Sequence, residues 1–332
     1  MPVIDVHCHT APRGFLSEVR RTAEGSSEAA AEARRLLGRP GFADDPQMTG
    51  ALDERLQLLD EAGIDMELLS LPTPLASLSE STLHRAALAA VINHEFSTTC
   101  DRLPDRYRFF ASLPLPDVEA SVGELRRAAQ LPGFVGAILN TSFGLPFNDP
   151  GLDVLYRELV AARGLLFIHP SHMHCLGRYA NLGMETIIGW PAEDTLAVME
   201  LVLGGVFDRI PELTVVAPHL SGTGLYLLGR IDHSYDHTPP TQRIALQRPS
   251  YYFRRLYYDC VCNWPPALDL ARSVVGADHI LLGSDFPYWS RGHMGECLEL
   301  LDRLDWPEDE LSLVRGGNAE RLLRGKGRWD LP

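Results

Sequence analysis

The chain has 332 residues, of which 45% are hydrophobic and 22% are charged, and this composition excludes a disordered, collagen-like or coiled-coil protein. Its 30 basic and 44 acidic side chains give a net charge of −14, which disfavours a nucleic-acid partner because the phosphate backbone is also negative. No apolar run in the sequence approaches the roughly 20 residues that a membrane span requires. Six cysteines, together with an N-terminal segment unlike a secretory signal, predict reduced thiols and a cytoplasmic protein.

Eight short segments rich in Val, Ile, Leu, Phe and Tyr recur along the chain and predict β-strands. Most of these segments are continuously apolar, which is typical of parallel strands that are covered on both faces. The predicted strands are 3–8, 66–71, 108–113, 134–139, 165–169, 213–218, 256–261 and 279–284.

Helical periodicity fills the intervals between these strands. Apolar side chains recur at helical spacing from Leu52 and from Val118, and another helix is expected after Asp149 as its N-terminal cap. Asn318 is expected to cap the last helix. Eight alternating strands and helices predict a (β/α)8 barrel that occupies residues 1–332 as one domain. A doubly wound open sheet is the alternative, but no glycine-rich turn follows the first strand to hold a dinucleotide.

The connection after the first strand is unusually long, from residue 10 to about residue 50. Loops of this length inside a compact domain usually have a function, and connections that follow barrel strands emerge on the C-terminal face. We therefore expect an insertion that covers part of the barrel mouth as a lid, with a short helix at 27–37. A surface insertion without a function is the alternative.

Histidines and one aspartate stand at the ends of several predicted strands. His7 and His9 are two residues apart, so both project from the same face of a strand. His169 ends strand five, His219 follows strand six and Asp285 ends strand eight. Because the carboxyl ends of barrel strands meet at the mouth, these side chains are expected to converge there. Three imidazoles and a carboxylate suit zinc, with manganese or iron(II) as alternatives, and predict a catalytic metal site.

Several segments of the chain resemble the amidohydrolase superfamily: VIDVHCH, FIHP, GVFDRIPELTVVAPHLSG and ADHILLGSDFPY. They are similar, more narrowly, to the branch that contains aminocarboxymuconate-semialdehyde, γ-resorcylate and 5-carboxyvanillate decarboxylases. The resemblance implies that His219 acts as an acid or base and that Arg230 reaches a substrate carboxylate in the neighbouring subunit of a homodimer. The metal ligands that it implies are His7, His9, His169 and Asp285.

The lysine count separates this chain from other branches of the superfamily. Lys326 is the only lysine, and the fourth predicted strand ends at Leu139 and Asn140. Members that resemble urease or dihydroorotase bridge two metal ions with a carboxylated lysine at that position. The sequence therefore predicts one divalent metal ion.

A mononuclear site of this kind predicts metal-dependent, non-oxidative decarboxylation of an aromatic or muconate-type carboxylic acid, a small-molecule substrate. The proton for the carbon that loses carbon dioxide would come from the metal-bound water through His219, or from Asp285, and an imidazole needs little change in its pKa for that role. The same groups are able to activate water. A hydrolase of C–C, ester or amide bonds and a hydratase are therefore the alternatives.

Further side chains near the predicted mouth are candidates for substrate binding. Arg13 is a candidate partner for a carboxylate, and His172 on the loop after strand five is a candidate substrate contact. Four aromatic residues form either a wall for a planar substrate or packing beneath the insertion: Trp190, Phe286, Tyr288 and Trp289.

Overall fold

The strands of the computed structural model follow one another around a barrel in chain order. The structure describes residues 1–38, 42, 48, 52–79, 81–171, 182–288 and 293–328. All strands are parallel, and each pairs with the next one along the chain. They are β1 Ile4–His9, β2 Met66–Ser70, β3 Tyr107–Ala111, β4 Phe134–Asn140, β5 Leu165–His169, β6 Val215–Ala217, β7 Tyr257–Asp259 and β8 Ile280–Leu281.

Backbone hydrogen bonds join the first strand to the last. Val6 N donates to the Leu282 carbonyl over 3.0 Å, and His9 N donates to the Phe286 carbonyl over 2.7 Å. In the opposite direction, Asp285 N donates to the His7 carbonyl over 2.8 Å. The sheet is therefore a barrel, and the predicted (β/α)8 fold is confirmed.

The helices lie between the strands, as the periodicity predicts. Asp149 accepts a hydrogen bond from Gly151 N over 2.7 Å at the start of the turn that leads into α6, which confirms its expected role as a cap. The described helices are α1 Arg13–Ala23, α2 Glu28–Leu37, α3 Leu52–Ala62, α4 Thr82–Arg102, α5 Val118–Ala128, α6 Asp153–Ala161, α7 Trp190–Leu203, α8 Val206–Arg209, α9 Gly224–His237, α10 Pro249–Phe253, α11 Pro265–Val275, α12 Glu296–Asp302, α13 Glu308–Ser312 and α14 Asn318–Gly325.

The expected cap at Asn318 is wrong. Asn318 is the first residue of α14, and its buried amide donates to the carbonyls of Ala277 and Ile280 instead. The side chain therefore fastens the last helix to the segment that leads into β8.

A layer of apolar side chains fills the barrel below its mouth. The strands contribute branched and aromatic residues, and α14 closes the opposite end with Ala319 and Leu323. Burial of this layer from water drives the closure of the sheet. The layer consists of Ile4, Val6, Met66, Leu68, Phe110, Val135, Ile138, Leu165, Phe167, Val216 and Leu281.

A β-bulge in β1 decides which side chains enter the barrel mouth. Asp5 pairs with Glu67 and Cys8 pairs with Leu69, so β1 has one more residue than β2 over this stretch. Val6 lies in the interior layer, yet His7 packs against the interior Phe167 with ring centroids 5.0 Å apart. The bulge therefore reverses the alternation, and both histidines of β1 face the mouth.

The insertion after β1 contains two helices over the part that the structure describes. The predicted helix at 27–37 is confirmed as α2, whose N-terminus is capped by Ser27 accepting from Ala30 N over 3.1 Å. Helix α1 was not predicted, and it buries Phe15, Leu16 and Val19. Most of residues 39–51 lie outside the described part of the chain.

Candidate metal centre and active site

Four potential metal ligands converge at the barrel mouth, as the sequence predicts. His7 and His9 come from β1, His169 ends β5, and Asp285 follows β8. All four side chains are buried, and one ligand atom from each lies within 4.8 Å of the others. The two Nε2 atoms of β1 are 3.1 Å apart, and Asp285 Oδ1 lies 3.3 Å from the first and 3.1 Å from the second.

The hydrogen bonds behind the two histidines of β1 fix their tautomers. His7 Nδ1 donates to Asp259 Oδ2 over 2.7 Å. Ser70 Oγ donates to the Cys8 carbonyl over 2.9 Å, so it accepts from His9 Nδ1, also over 2.9 Å. When the two rings are neutral, as a metal ligand must be, their protons are on Nδ1, and both Nε2 lone pairs point at one another and at a carboxylate. Such an arrangement fits a shared cation, and supported histidines of this kind are typical of metal sites.

His169 completes the fit to a divalent cation. Its Nδ1 atom is buried and has no hydrogen-bond partner among the residues that the structure describes. Its ring lies 4.5 Å from that of His9, centroid to centroid. Three imidazoles and a carboxylate are a donor set for one divalent ion of the zinc or manganese type.

Burial and neighbouring charges shift the pKa values of the four potential ligands. Burial alone would lower the pKa of His7, but Asp259 and Asp285 raise it to about 9. Burial lowers the pKa of His9 to about 4 and holds that of His169 well below its usual range. Burial would raise the pKa of Asp285, yet the surrounding imidazoles hold it well below its usual range. Asp285 is therefore ionised at neutral pH and available to a cation.

His219 lies beside this cluster, with Nε2 3.7 Å from Asp285 Oδ2. Its Nδ1 donates to Asp194 Oδ2 over 2.8 Å, and Asp194 is fully buried on α7. Burial would lower the pKa of His219, but the Asp194 carboxylate holds it well above its usual range. This ring is therefore held in its protonated form, with Nε2 directed at the group of potential ligands.

The backbone around the site is unusual in two places. His219 and Asp285 have φ angles of 50° and 54°, the left-handed region that non-glycine residues rarely adopt. Each is held there by a hydrogen bond, from His219 N to Asp259 Oδ1 and from Asp285 N to the His7 carbonyl, both over 2.8 Å. Gly283 permits the close approach of this segment to β1 and β7, since a Cβ there would lie 2.9 Å from that of Asp259 and 3.0 Å from that of His7.

A cavity of about 510 Å³ opens onto the cluster. Trp190 and Tyr288 line it, and this position is consistent with the prediction that they form part of an aromatic wall for a planar substrate. Glu32 and Leu36 of α2 line it too, so part of the insertion borders the mouth. Phe286 does not belong to such a wall: it is buried in the outer core, where the Arg55 guanidinium lies 5.2 Å from its ring centroid.

The structure describes two of the remaining predicted contacts, and neither lines this cavity. Arg13 is exposed at the first residue of α1. Arg230 is exposed on α9 and lines a separate groove between α7 and α9. His172 and Trp289 lie outside the described residues. Their roles in substrate binding stay predictions.

Sequence reasoning missed three supporting residues. Asp259 ends β7, a position that the pattern of polar residues at strand ends would have singled out. Ser70 ends β2 in the same way. Asp194 lies within a helix far along the chain from any motif, and only the folded structure brings it to His219.

Comparison with known proteins identifies the family of this chain. The family model described as amidohydrolase matches residues 4–325. The chain belongs to the amidohydrolase family. A curated relative of this amidohydrolase, 2-amino-3-carboxymuconate-6-semialdehyde decarboxylase of Dictyostelium discoideum, is 26% identical over 96% of the chain and 91% of the relative. The γ-resorcylate decarboxylase of Rhizobium radiobacter is 29% identical over 83% of the chain and 88% of the relative.

Solved structures share the fold of this amidohydrolase. The 5-carboxyvanillate decarboxylase of Sphingomonas paucimobilis matches with a TM-score of 0.87 at 24% identity, over 97% of this chain and 99% of the other. A dihydroxybenzoic acid decarboxylase of Polaromonas sp. JS666, with bound manganese and the inhibitor 2-nitroresorcinol, matches with a TM-score of 0.82 at 21% identity, over 97% of each chain. Within its described residues, this chain has no helix with the length and apolar character needed to cross a membrane.

Proposed function

We propose that this amidohydrolase is a metal-dependent, non-oxidative decarboxylase of an aromatic or muconate-type carboxylic acid. The observation that carries the proposal is the cluster of four potential metal ligands with His219 beside it, at a barrel mouth. The names of the curated relatives support the reaction, because they are decarboxylases of this substrate class.

In this proposal four side chains hold one divalent ion: His7, His9, His169 and Asp285. When bound, the ion supplies a Lewis acid for the substrate's carboxylate or a neighbouring oxygen. Asp259 and Ser70 keep the Nδ1 protons of the two β1 histidines in place, which leaves Nε2 of each ring free to bind.

His219 is the proposed proton donor. Its imidazolium gives the Nε2 proton to the ring carbon that carries the carboxylate. The bond from that carbon to the carboxylate then breaks, carbon dioxide leaves, and the released electron pair restores the aromatic ring. Asp194 steadies the imidazolium before the transfer. Asp285 is the less suitable donor because its pKa lies well below the usual range, and we assign it to the metal.

The substrate-binding surface in the proposal combines Trp190 and Tyr288 with the insertion as a partial lid. Glu32 and Leu36 of α2 support the lid because they border the cavity. Arg13 and His172 are proposed as outer contacts for the substrate's polar groups.

The proposal also includes a homodimer in which Arg230 reaches the partner's substrate. Two exposed apolar side chains that line the Arg230 groove support an interface, Leu203 and Ile244. Sedimentation velocity should give twice the 36.8 kDa chain mass, and Arg230→Ala should raise KM more than it lowers kcat. A monomer at micromolar concentration would refute this part.

A cytoplasmic location is likewise proposed, and the free thiols of Cys8, Cys100 and Cys260 support a reducing compartment.

We propose zinc as the resident ion, on the strength of the three imidazoles, with manganese as the alternative because it is bound in related folds. Elemental analysis of freshly purified protein should give one zinc or manganese per chain. Removal of the ion by a chelator should abolish turnover, and adding the ion back should restore it. Protein that is fully active without any divalent ion would refute the assignment.

One assay decides between decarboxylation and the reactions of water. The protein, loaded with manganese or zinc, is incubated with 2,6-dihydroxybenzoate or 2-hydroxybenzoate in water enriched in oxygen-18. We expect release of carbon dioxide and a phenol whose ring gains one solvent-derived hydrogen and no oxygen-18. Incorporation of oxygen-18 into an organic product, without loss of carbon dioxide, would replace the proposal with a hydrolase or hydratase.

A further inference from the structure

The polar side chains around the barrel mouth divide into two groups. The proposed metal site uses those at the ends of β1, β5, β7 and β8, and Ser70 of β2 supports His9. The ends of β3 and β4 also carry polar side chains, Ser112 and Asn140. These continue the inward-facing positions of Phe110 and Ile138, but the metal site makes no use of them.

Both of these side chains are buried with unsatisfied hydrogen-bonding atoms. Ser112 is 4% exposed and Asn140 is 7% exposed. Ser112 Oγ and Asn140 Nδ2 have no hydrogen-bond partner within the described part of the chain. An unpaired polar group in such a place destabilises the fold, so a site that keeps two of them calls for an explanation.

Ser112 and Asn140 both line one recess at the C-terminal ends of β3 and β4. Thr73 lines both this recess and the larger cavity that contains His169 and Asp285, so the two spaces share a wall. The other walls of the recess are largely apolar, with Leu113 and Ile138 among them, and none of its described lining residues is charged. Its chemistry therefore suits an uncharged oxygen attached to an apolar ring.

The main chain at Ser112 is held independently of its hydroxyl group. Asn93 of α4 is fully buried, accepts from Ser112 N over 2.8 Å and donates to the Ser112 carbonyl over 2.9 Å. Glu124 of α5 accepts a second hydrogen bond from the same Asn93 amide, over 2.6 Å. These bonds fix the position of Ser112 and leave its hydroxyl group without a partner among the described residues, available to a ligand in the recess.

From this arrangement we infer that Ser112 and Asn140 form a specificity subsite that donates hydrogen bonds to a neutral oxygen substituent of the substrate ring, a hydroxyl, methoxy or carbonyl oxygen. The inference rests on the proposed function, since the single metal ion would anchor the carboxylate end of the substrate while the recess receives the ring's second oxygen. A charged substituent is disfavoured there because the recess offers it no counter-charge.

The test uses matched substrates that differ by one oxygen. These are 2-hydroxybenzoates with a second hydroxyl group at each remaining ring position, each compared with its methyl counterpart. We expect kcat/KM to favour the hydroxyl member of at least one pair by about ten-fold, because the methyl compound leaves both donors unpaired. Ser112→Ala and Asn140→Ala should each bring that ratio close to one. Ser121→Ala is the matched control, since its buried hydroxyl donates to the Asp117 carbonyl on α5, and it should keep the wild-type ratio.

Two results would overturn the subsite: a wild-type enzyme with no preference in any pair, or variants that slow both members of a pair equally. If no compound releases carbon dioxide, the proposed reaction fails, and calorimetric binding of the same pairs to the metal-loaded protein then judges the recess alone. The same ten-fold preference in Kd would support the subsite, and equal Kd values would refute it.

Discussion

Replacement of Asp259 by Asn tests whether the support behind His7 controls metal binding. The two carboxylate oxygens of Asp259 accept three hydrogen bonds, from His7 Nδ1 over 2.7 Å, from His219 N over 2.8 Å and from Val261 N over 3.2 Å. An asparagine has one oxygen and one NH2 group, so it cannot accept on both sides. If the NH2 group faces His7, it forces the ring proton onto Nε2, the atom that should bind the ion. If it faces the main chain, it meets two N–H donors.

Either orientation should weaken metal binding by about 10–100-fold, the usual effect of losing such a supporting hydrogen bond. The Kd for Zn²⁺ or Mn²⁺, measured by competition with a chelator of known affinity, gives the result directly. Asp194→Asn is the matched control, because Asp194 supports His219 and contacts none of the four ligands by hydrogen bond among the described residues. It should leave the metal Kd close to that of wild type. Equal metal affinity in Asp259→Asn and wild type would refute the reasoning.

Three further changes test other parts of the structure. Asp194→Asn should move the alkaline limb of the kcat/KM profile to lower pH: it lowers the pKa of His219, and the protonated ring that donates is lost as pH rises through that pKa. Arg55→Met should reduce the free energy of unfolding in urea by about 3–5 kcal/mol by leaving buried Glu67 unpaired, and the double variant with Glu67→Leu should recover most of it. Gly283→Ala should weaken metal binding without loss of helical circular dichroism, because its methyl group crowds the side chains of β1 and β7.

The barrel was predictable because parallel strands covered on both faces leave a continuous apolar signal. The strand boundaries were less predictable than the fold. At β8 the prediction extends to residue 284, but the strand ends at Leu281. Beyond that residue the chain departs from the ladder so that Asp285 reaches a positive φ angle at the mouth. A functional backbone geometry thus replaced regular pairing, and nothing in the local composition marks that change.

The convergence of the four potential metal ligands was predictable because the carboxyl ends of barrel strands share one face. The bulge that brings both β1 histidines to that face was not predictable. Strict alternation from Ile4 and Val6 would turn His7 away from the barrel interior. A single extra residue in β1 corrects the direction, and a bulge has no signature in one sequence. Asp194 was equally hidden, because its partnership with His219 depends on how α7 packs against the barrel.

The two halves of the barrel mouth are braced by different parts of the molecule. Ser70, Asp194 and Asp259 support the half with the four potential metal ligands and His219, whereas Asn93 on α4 holds the half at β3 and β4. Substitutions in the second half therefore leave the bracing of the first intact. Such a division would let gene duplicates diverge in what they accept while keeping the shared chemistry, and it marks β3 and β4 as the place to begin redesign.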